Sequence, residues 1–336
     1  MTGMLVLEDG TVFPGDSVGA DGFACGEAVF TTAMTGYQEI VTDPSYAEQL
    51  VCFTAPMIGN YGVSPTRSES SAAHARAVLM RKATGEEWPR WLAAQSIVAL
   101  EEIDTRALVL RLRARGTMRA AAVAGNASLE EVLAQVRAQA EMAGRALVAG
   151  VSTETPYTVG RGGVSIGVLD YGCKRSIVER AVSAGGRVTV YPHATDAQTI
   201  LAARHDGLVL SNGPGDPAAL PAEAAVVAEL IGRVPLLGIC LGHQLLALGA
   251  GFETFKLPFG HRGANHPVLD LRSNRVLVTS QNHGFAVRGD RPEVAHISLY
   301  DGTVEGLALP AERARSVQFH PEAGPGPHVA RYLIES

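Results

Sequence analysis

Cysteine is scarce in this sequence of 336 residues, which has four, at positions 25, 52, 173 and 240. None of them forms a C-x-x-C pair, so the usual patterns of zinc ribbons and disulfide frameworks are excluded. No apolar run approaches the roughly 20 residues of a transmembrane helix, and the first residues show no basic segment followed by an apolar one. We therefore expect no signal peptide, no membrane and a reducing cytoplasmic location, where a lone cysteine can act as a nucleophile.

An excess of positive charge is also lacking. The sequence has 28 Lys and Arg residues against 34 Asp and Glu residues, which leaves a net charge of −6. This balance does not favour binding to nucleic acid by bulk electrostatics, and we predict no nucleic-acid partner. With 46% hydrophobic and 18% charged residues, the chain is predicted to fold around a sizeable core. At roughly 150 residues per domain, the length predicts two domains.

The two halves of the chain differ in texture. Residues 1–150 mix short β-like runs with helical patterns, which predicts a mixed α+β domain. Residues 151–163 are rich in Gly, Ser, Thr and Pro and are predicted to form a linker. In residues 164–336, apolar strands alternate with helices. This pattern predicts an α/β domain with an open, mostly parallel sheet flanked by helices.

Two stretches of the first half have helical character, namely Glu69–Lys82 and Leu129–Ala143. The second of them follows Ser128, and Glu131 stands three residues further on, which is the pattern of a capping box. Gly144 is the predicted C-cap of the same helix.

Cys240 lies in the sequence GICLG, between a predicted strand, Pro235–Ile239, and a helix that begins near Leu241. Small residues on both sides allow a tight strand-to-helix turn, as in the G-x-nucleophile-x-G form. The positive end of the helix dipole favours a thiolate, and the Leu241 N–H is placed to hold an oxyanion. The alternative is a structural cysteine at a strand end, but the spacing favours a nucleophile.

A thiol needs a base, and His320 is the best candidate. It follows a predicted strand, Ser316–Phe319, and alternate residues of extended chain point to the same side, so Glu322 is predicted to orient the imidazole. His243 is nearer to the cysteine in sequence but is expected to lie on the helix and to face away from the sulfur. An isolated His-Pro-Glu would indicate an ordinary turn, and it gains meaning from the presence of Cys240.

Three of these stretches together resemble the signatures of class I (triad-type) glutamine amidotransferases: SNGPGDP at 211–217, LGICLGHQ at 237–244 and HPEA at 320–323. Five further stretches resemble the small-subunit family of carbamoyl-phosphate synthases: FTTAMTGYQE at 30–39, TDPSY at 42–46, IGNYG at 58–62, FGHRGANHPV at 259–268 and QNHGFAV at 281–287. The resemblance therefore spans nearly the whole chain.

The resemblance implies a catalytic triad of Cys240, His320 and Glu322. Cys240 would attack the side-chain amide of L-glutamine, His320 would move the proton to the departing ammonia, and water would hydrolyse the glutamyl thioester. The resemblance also implies the lining of the glutamine site: Ser45, Gly213, Gly215, Leu241, Gln244, Asn282, Gly284 and Phe285. Lys174 is interpreted either as a signalling residue between subunits or as a surface lysine at the start of a helix.

Phosphate-binding patterns are absent. We find no G-x-x-x-x-G-K-[ST] loop, no G-x-G-x-x-G after a strand and no acidic cluster suited to Mg²⁺, so we predict no cofactor and no metal in this chain. The resemblance implies a heterodimer with a large synthetase subunit, which would use ATP, Mg²⁺, bicarbonate and the ammonia to make carbamoyl phosphate for arginine and pyrimidine biosynthesis. A stand-alone glutaminase or γ-glutamyl hydrolase, and a non-catalytic scaffold of the same fold, remain as alternatives.

Overall fold

The computed structural model describes residues 3–330 and 332–335, and the chain divides into two compact units. The first unit ends at Met142 and the second begins at Ala143. The segment predicted as a linker, 151–163, includes a short strand, Tyr157–Val159, which pairs within the second unit. No helix in the described residues is both long and apolar enough to cross a membrane.

In the described part of the first unit, seven strands close into a barrel. They are β1 (Gly3–Leu7), β2 (Val12–Ser17), β3 (Gly22–Thr31), β4 (Gln49–Phe53), β5 (Ala77–Leu79), β6 (Val98–Glu101) and β7 (Met118–Ala124). Neighbours follow the order β1-β2-β6-β5-β4-β3-β7, and β7 pairs with β1. The unit also contains the helices α1 (Tyr37–Thr42), α2 (Glu87–Ala94), α3 (Thr105–Arg115) and α4 (Leu129–Ala138), with 3₁₀ turns at Pro44–Tyr46 and Pro65–Arg67. Closure leaves the sheet without an open edge.

Two helix predictions in this unit are corrected. Glu69–Lys82 forms no helix, because Ala77–Leu79 pairs in parallel with both β4 and β6 and is fully buried in the barrel. Packing there overrides the helix propensity of the alanines. Helix α4 does begin after Ser128, but it ends at Ala138, and the Ser128 side chain makes no capping hydrogen bond. Gly144, the predicted C-cap, lies beyond the helix end.

The second unit is built on one sheet of ten strands in its described residues. Its strands are β8 (Tyr157–Val159), β9 (Val164–Asp170), β10 (Gly186–Pro192), β11 (Gly207–Leu210), β12 (Leu236–Ile239), β13 (Glu253–Asp270), β14 (Arg275–Arg288), β15 (Val294–Ser298), β16 (Val304–Leu309) and β17 (Ala314–Val317). Its helices are α5 (Arg175–Ser183), α6 (Ala197–Ala202), α7 (Pro221–Leu230), α8 (Leu241–Gly249) and α9 (Tyr332–Glu335), with 3₁₀ turns at Val148–Gly150 and Pro217–Ala219.

The order of this sheet is β14-β13-β15-β16-β17-β12-β11-β9-β10-β8. The run from β17 to β10 is parallel, as the alternation of strands and helices predicts. The strands β13 to β16, and β8 at the other edge, pair antiparallel. The α/β class is therefore right, but the sheet is mixed rather than mostly parallel. Short connections such as the one from Asp270 to Arg275 allow only antiparallel pairing.

Helices cover both faces of the parallel strands. Successive residues of β11 point to opposite faces, so Leu208 and Leu210 pack in one apolar cluster and Val209 in another. The first cluster includes residues of α6, α7 and α8, and the second includes residues of α5. This two-sided burial orients the carboxyl ends of β17, β12, β11 and β9 toward the same edge of the sheet, where α/β sheets bind ligands.

Candidate active site

Two neighbouring strands bring the predicted nucleophile and base to the same edge of the sheet. In the parallel pair β12 and β17, Ile239 lies opposite Val317. Cys240 is the residue after Ile239, and His320 follows the end of β17. The two residues are distant in sequence and are joined here by strand pairing alone.

Cys240 lies in a sharp turn, as the GICLG sequence predicts. Its backbone has φ 54° and ψ −105°, a conformation that is strained for a residue with a Cβ atom. A Cβ atom on Gly238 would lie 2.6 Å from the Gly242 carbonyl oxygen, and one on Gly242 would overlap the Leu210 carbonyl oxygen. Only glycine fits at both positions, so the turn depends on this local sequence. Cys240 itself is buried.

The His320 ring is held by a carboxylate on one side and faces the cysteine on the other. Its Nδ1 lies 2.6 Å from Glu322 Oε1. Burial alone would lower the pKa of His320, but the Glu322 charge and the Cys240 sulfur outweigh burial and raise the pKa to about 10. The His320 Nε2 is buried and has no hydrogen-bond partner among the described residues. The geometry is that of an imidazole that keeps one nitrogen available for the proton of the thiol.

Lys174 balances the charge of Glu322. Its Nζ donates to Glu322 Oε1 at 2.9 Å and to the Gly324 carbonyl at 2.7 Å, and its side chain is only 2% exposed. Burial would raise the pKa of Glu322, but the charges of Lys174 and His320 hold it well below its usual range. The carboxylate is therefore ionised beside the ring.

The interpretation of Lys174 as a surface residue is wrong. It stands in the loop that follows the carboxyl end of β9, two strands away from β12 in the sheet. Its position directly after a parallel strand was a signal that could have pointed to the site, because the loops at these strand ends converge.

Strand β14 lies close to the nucleophilic turn. The Cys240 thiol is 3.5 Å from the Asn282 carbonyl oxygen. On helix α8, the Gln244 amide donates to the Phe285 carbonyl at 2.8 Å and to Gln318 Oε1 at 3.0 Å. The structure thus brings Cys240, Gln244, Asn282 and Phe285 together, four of the residues that the resemblance implicated.

The predicted glycines stand where backbones approach closely. A Cβ atom on Gly213 would overlap the Tyr171 carbonyl oxygen and lie 2.8 Å from a methyl carbon of Leu241. Leu241 is the first residue of α8, so its N–H has no acceptor within the helix. Gly215 has φ +93°, and a Cβ atom on Gly284 would lie 3.3 Å from an Arg262 nitrogen.

Ser45 belongs to the first unit, unlike the other predicted site residues. It lies in the 3₁₀ turn Pro44–Tyr46, is buried, and donates its backbone N–H to Asp43 Oδ1 at 2.9 Å. Its part in a glutamine site stays a prediction.

The other candidate bases and thiols have different surroundings. The His243 Nδ1 lies 2.8 Å from the Ser316 hydroxyl, and burial lowers the pKa of His243 to about 3, so the ring is neutral. Burial raises the pKa of Cys25 to about 11 and that of Cys52 to about 12, which disfavours a reactive thiolate at either position.

Comparison with known proteins identifies two families along the chain. The family model for the carbamoyl-phosphate synthase small chain, CPSase domain, matches residues 5–122, and the one for class-I glutamine amidotransferases matches residues 167–336. Proteins named carbamoyl phosphate synthase small chain are similar over nearly the whole chain. The one from Staphylococcus epidermidis is 42% identical, over 98% of this chain and 93% of that protein.

Two further proteins of that name are comparably similar. The one from Clostridium perfringens is 43% identical over 100% of this chain and 98% of its own length. The one from Xanthomonas campestris pv. campestris is 45% identical over 96% and 94%. Among solved structures, a glutamine amidotransferase from Thermotoga maritima has a TM-score of 0.38 and 18% identity, and the match covers 48% of this chain and 77% of that chain.

Proposed function

The chain belongs to the carbamoyl-phosphate synthase small chain family and is its glutamine amidotransferase subunit, and we propose that Cys240, His320 and Glu322 hydrolyse L-glutamine for a large synthetase subunit. The observation that carries the proposal is the meeting of Cys240 and the His320–Glu322 pair at the adjacent ends of β12 and β17.

In the proposed first step, the Cys240 sulfur attacks the carbonyl carbon of the glutamine side-chain amide. The His320 Nε2 takes the thiol proton and transfers it to the leaving nitrogen, which departs as ammonia. The product of this step is a glutamyl thioester. Water then attacks the thioester, His320 returns a proton to the sulfur, and glutamate leaves. The Leu241 N–H, at the start of α8, stabilises the oxyanion of each tetrahedral intermediate.

Glu322 and Lys174 set the state of the imidazole in this mechanism. Glu322 holds His320 through Nδ1, and its negative charge stabilises the imidazolium that forms when the thiol loses its proton. Lys174 keeps Glu322 ionised and fixed in place. Lys174 is a positioning residue, since its contacts are to Glu322 and Gly324.

We propose that the glutamine site is lined by the residues that the resemblance implicated: Ser45, Gly213, Gly215, Leu241, Gln244, Asn282, Gly284 and Phe285. Glycines allow the backbone to approach the substrate, while amide side chains recognise its polar groups. ATP and Mg²⁺ are proposed to act on the large subunit, which converts bicarbonate and the ammonia to carbamoyl phosphate in the cytoplasm for arginine and pyrimidine synthesis.

The test is Cys240→Ser in the complex with the large subunit. We expect glutamine-dependent carbamoyl phosphate synthesis to fall by about 10³-fold or more, because a hydroxyl replaces the nucleophilic sulfur. Synthesis from added ammonium should persist, since it does not pass through Cys240. Cys173→Ser is the matched control, because this thiol is partly buried but lies outside the turn, and it should retain glutamine-dependent synthesis.

Two outcomes would contradict the proposal. Glutamine use at the wild-type rate by Cys240→Ser would show that another group is the nucleophile. Rapid glutamine hydrolysis by the isolated chain, without any response to the large subunit, would favour a stand-alone glutaminase.

A further inference from the structure

A second group of buried polar side chains lies on the antiparallel part of the sheet. His261 on β13 is paired directly opposite His283 on β14, and Glu305 is near the start of β16. Their side chains are 7%, 1% and 0% exposed. One ligand atom from each lies within 4.8 Å of the other two. The mechanism above uses none of these three side chains.

Both histidines are fixed through the nitrogen that points away from this cluster. The His261 Nε2 lies 2.9 Å from Asp301 Oδ2, and the His283 Nδ1 lies 2.8 Å from the Phe285 carbonyl oxygen. Histidines that bind metals are held in this way, since a carboxylate or carbonyl accepts the remaining ring N–H and orients the ligand nitrogen. The nitrogens that are left, His261 Nδ1 and His283 Nε2, both point toward Glu305.

Glu305 shows the same division between a satisfied and an unsatisfied atom. Its Oε2 accepts a hydrogen bond from the Gln281 amide at 2.7 Å. Its Oε1 lies 3.4 Å from His261 Nδ1 and 3.8 Å from His283 Nε2. None of these three facing atoms has a hydrogen-bond partner in the part of the chain that the structure describes. Buried polar atoms without partners are costly and therefore need an explanation.

Protonation does not satisfy all three atoms. A carbonyl oxygen only accepts, so the proton of His283 must sit on Nδ1, where it meets Phe285. Burial holds the pKa of His283 well below its ordinary value, so the ring is neutral and Nε2 carries a lone pair. A proton on His261 can bridge to Glu305 but leaves that lone pair facing a carboxylate oxygen. A cation between the three atoms would satisfy them together.

The spacing and the donor set agree with a transition-metal ion. Zinc bonds of about 2.0–2.1 Å in tetrahedral geometry place neighbouring ligand atoms roughly 3.3 Å apart. The two separations given above are 3.4 and 3.8 Å. Two imidazoles and one carboxylate form a known zinc donor set, in which water completes the fourth position.

We propose that His261, His283 and Glu305 form a binding site for a divalent transition-metal ion, with zinc as the best fit. The site fastens β13, β14 and β16 to one another behind the strand that carries Asn282. This revises the expectation of no metal in the chain. The sequence concealed the site, because its ligands come from three separate strands without a short spacing motif.

The experiment uses the full-length, tag-free chain after removal of metal with a chelator. Titration with Zn²⁺ in a calorimeter should show about one tight equivalent per chain, and Co²⁺ should give the visible bands of four-coordinate cobalt. Glu305→Gln keeps the shape of the side chain but removes the charged ligand, so we expect at least a tenfold loss of affinity. Asp301→Asn weakens only the support of His261 and should cost roughly tenfold.

His205→Gln is the matched control. Both ring nitrogens of His205 already have hydrogen-bond partners, Ser165 and Tyr191, so its replacement should leave metal affinity unchanged. Circular dichroism of each variant verifies the fold, and the mild Asp301→Asn change keeps the test valid if Glu305→Gln fails to fold. Absence of stoichiometric binding in the wild-type chain, or equal affinity in Asp301→Asn, Glu305→Gln and wild type, would overturn the proposal.

Discussion

The second unit contains two buried histidine–carboxylate pairs that differ in what balances their charge. In the first pair, Glu322 orients His320, and the ammonium of Lys174 compensates the carboxylate. In the second, His261 contacts Glu305, whose other oxygen meets a neutral amide. The same two residue types can therefore serve proton transfer where a lysine is present, and metal binding where a positive charge remains to be supplied.

The pKa shifts of the two carboxylates follow this difference. Burial acts to raise both. The cations Lys174 and His320 reverse that effect at Glu322 and hold its pKa low, whereas burial prevails at Glu305 and raises its pKa. A buried acid thus reports whether the protein itself provides the counter-charge.

The largest expected effect separates the two histidines. His320→Asn should reduce formation of the glutamyl thioester by about 10³-fold or more, because the base that takes the thiol proton is lost. The measurement is a single-turnover assay with labelled glutamine. His261→Asn, in the other pair, should cause a much smaller loss. Equal losses would erase the distinction between the pairs, and a normal rate in His320→Asn would point to another base.

A smaller effect is expected from removing the counter-charge of the first pair. Lys174→Met leaves Glu322 buried without its ammonium partner, which should lower the free energy of unfolding by on the order of 3 kcal/mol. Misplacement of the imidazole should also lower kcat for glutamine hydrolysis by up to about 10²-fold. Urea denaturation and steady-state kinetics measure the two losses.

The controls for this change are Arg90→Met and Lys174→Arg. Arg90→Met breaks an exposed ion pair with Glu86 and should change stability little. Lys174→Arg keeps the charge and should restore part of kcat, which a purely structural role for Lys174 would not explain. Unchanged kinetics in Lys174→Met would contradict the charge-balance account.

The smallest expected effect is a shift in pH dependence. Glu322 raises the pKa of His320, so Glu322→Gln should lower that pKa. The rate falls when pH rises through this pKa, because the ring then has no proton for the leaving ammonia. The alkaline limb of kcat/KM, expected near pH 10 in the wild type, should therefore move to lower pH. Asp206→Asn, a carboxylate beside His205, should leave the limb in place, and an unmoved limb in Glu322→Gln would refute the assignment.

Local sequence patterns predicted much of the second unit. The predicted strand Val164–Asp170 has those same bounds in the structure, and the turn at Cys240 follows from glycines whose Cβ atoms would collide with backbone. Patterns failed where packing decides. Ala77–Leu79 lies in a stretch of helical character, yet it becomes a central barrel strand because its burial between β4 and β6 outweighs local propensity.

The candidate site divides in the same way. Cys240, His320 and Glu322 stand in short motifs, so their chemistry is visible in the sequence. Lys174, His261 and Glu305 stand in no motif that announces a partner, and only strand pairing and burial bring them to theirs.

The sequence by itself determined the tight turn, the strand-helix alternation and the residue types for thiol chemistry, because these depend on neighbours along the chain. The tertiary structure alone decided which charges meet in the interior. Burial strips water from groups that are distant in sequence, and the cost of leaving a charge unpaired there selects their partners.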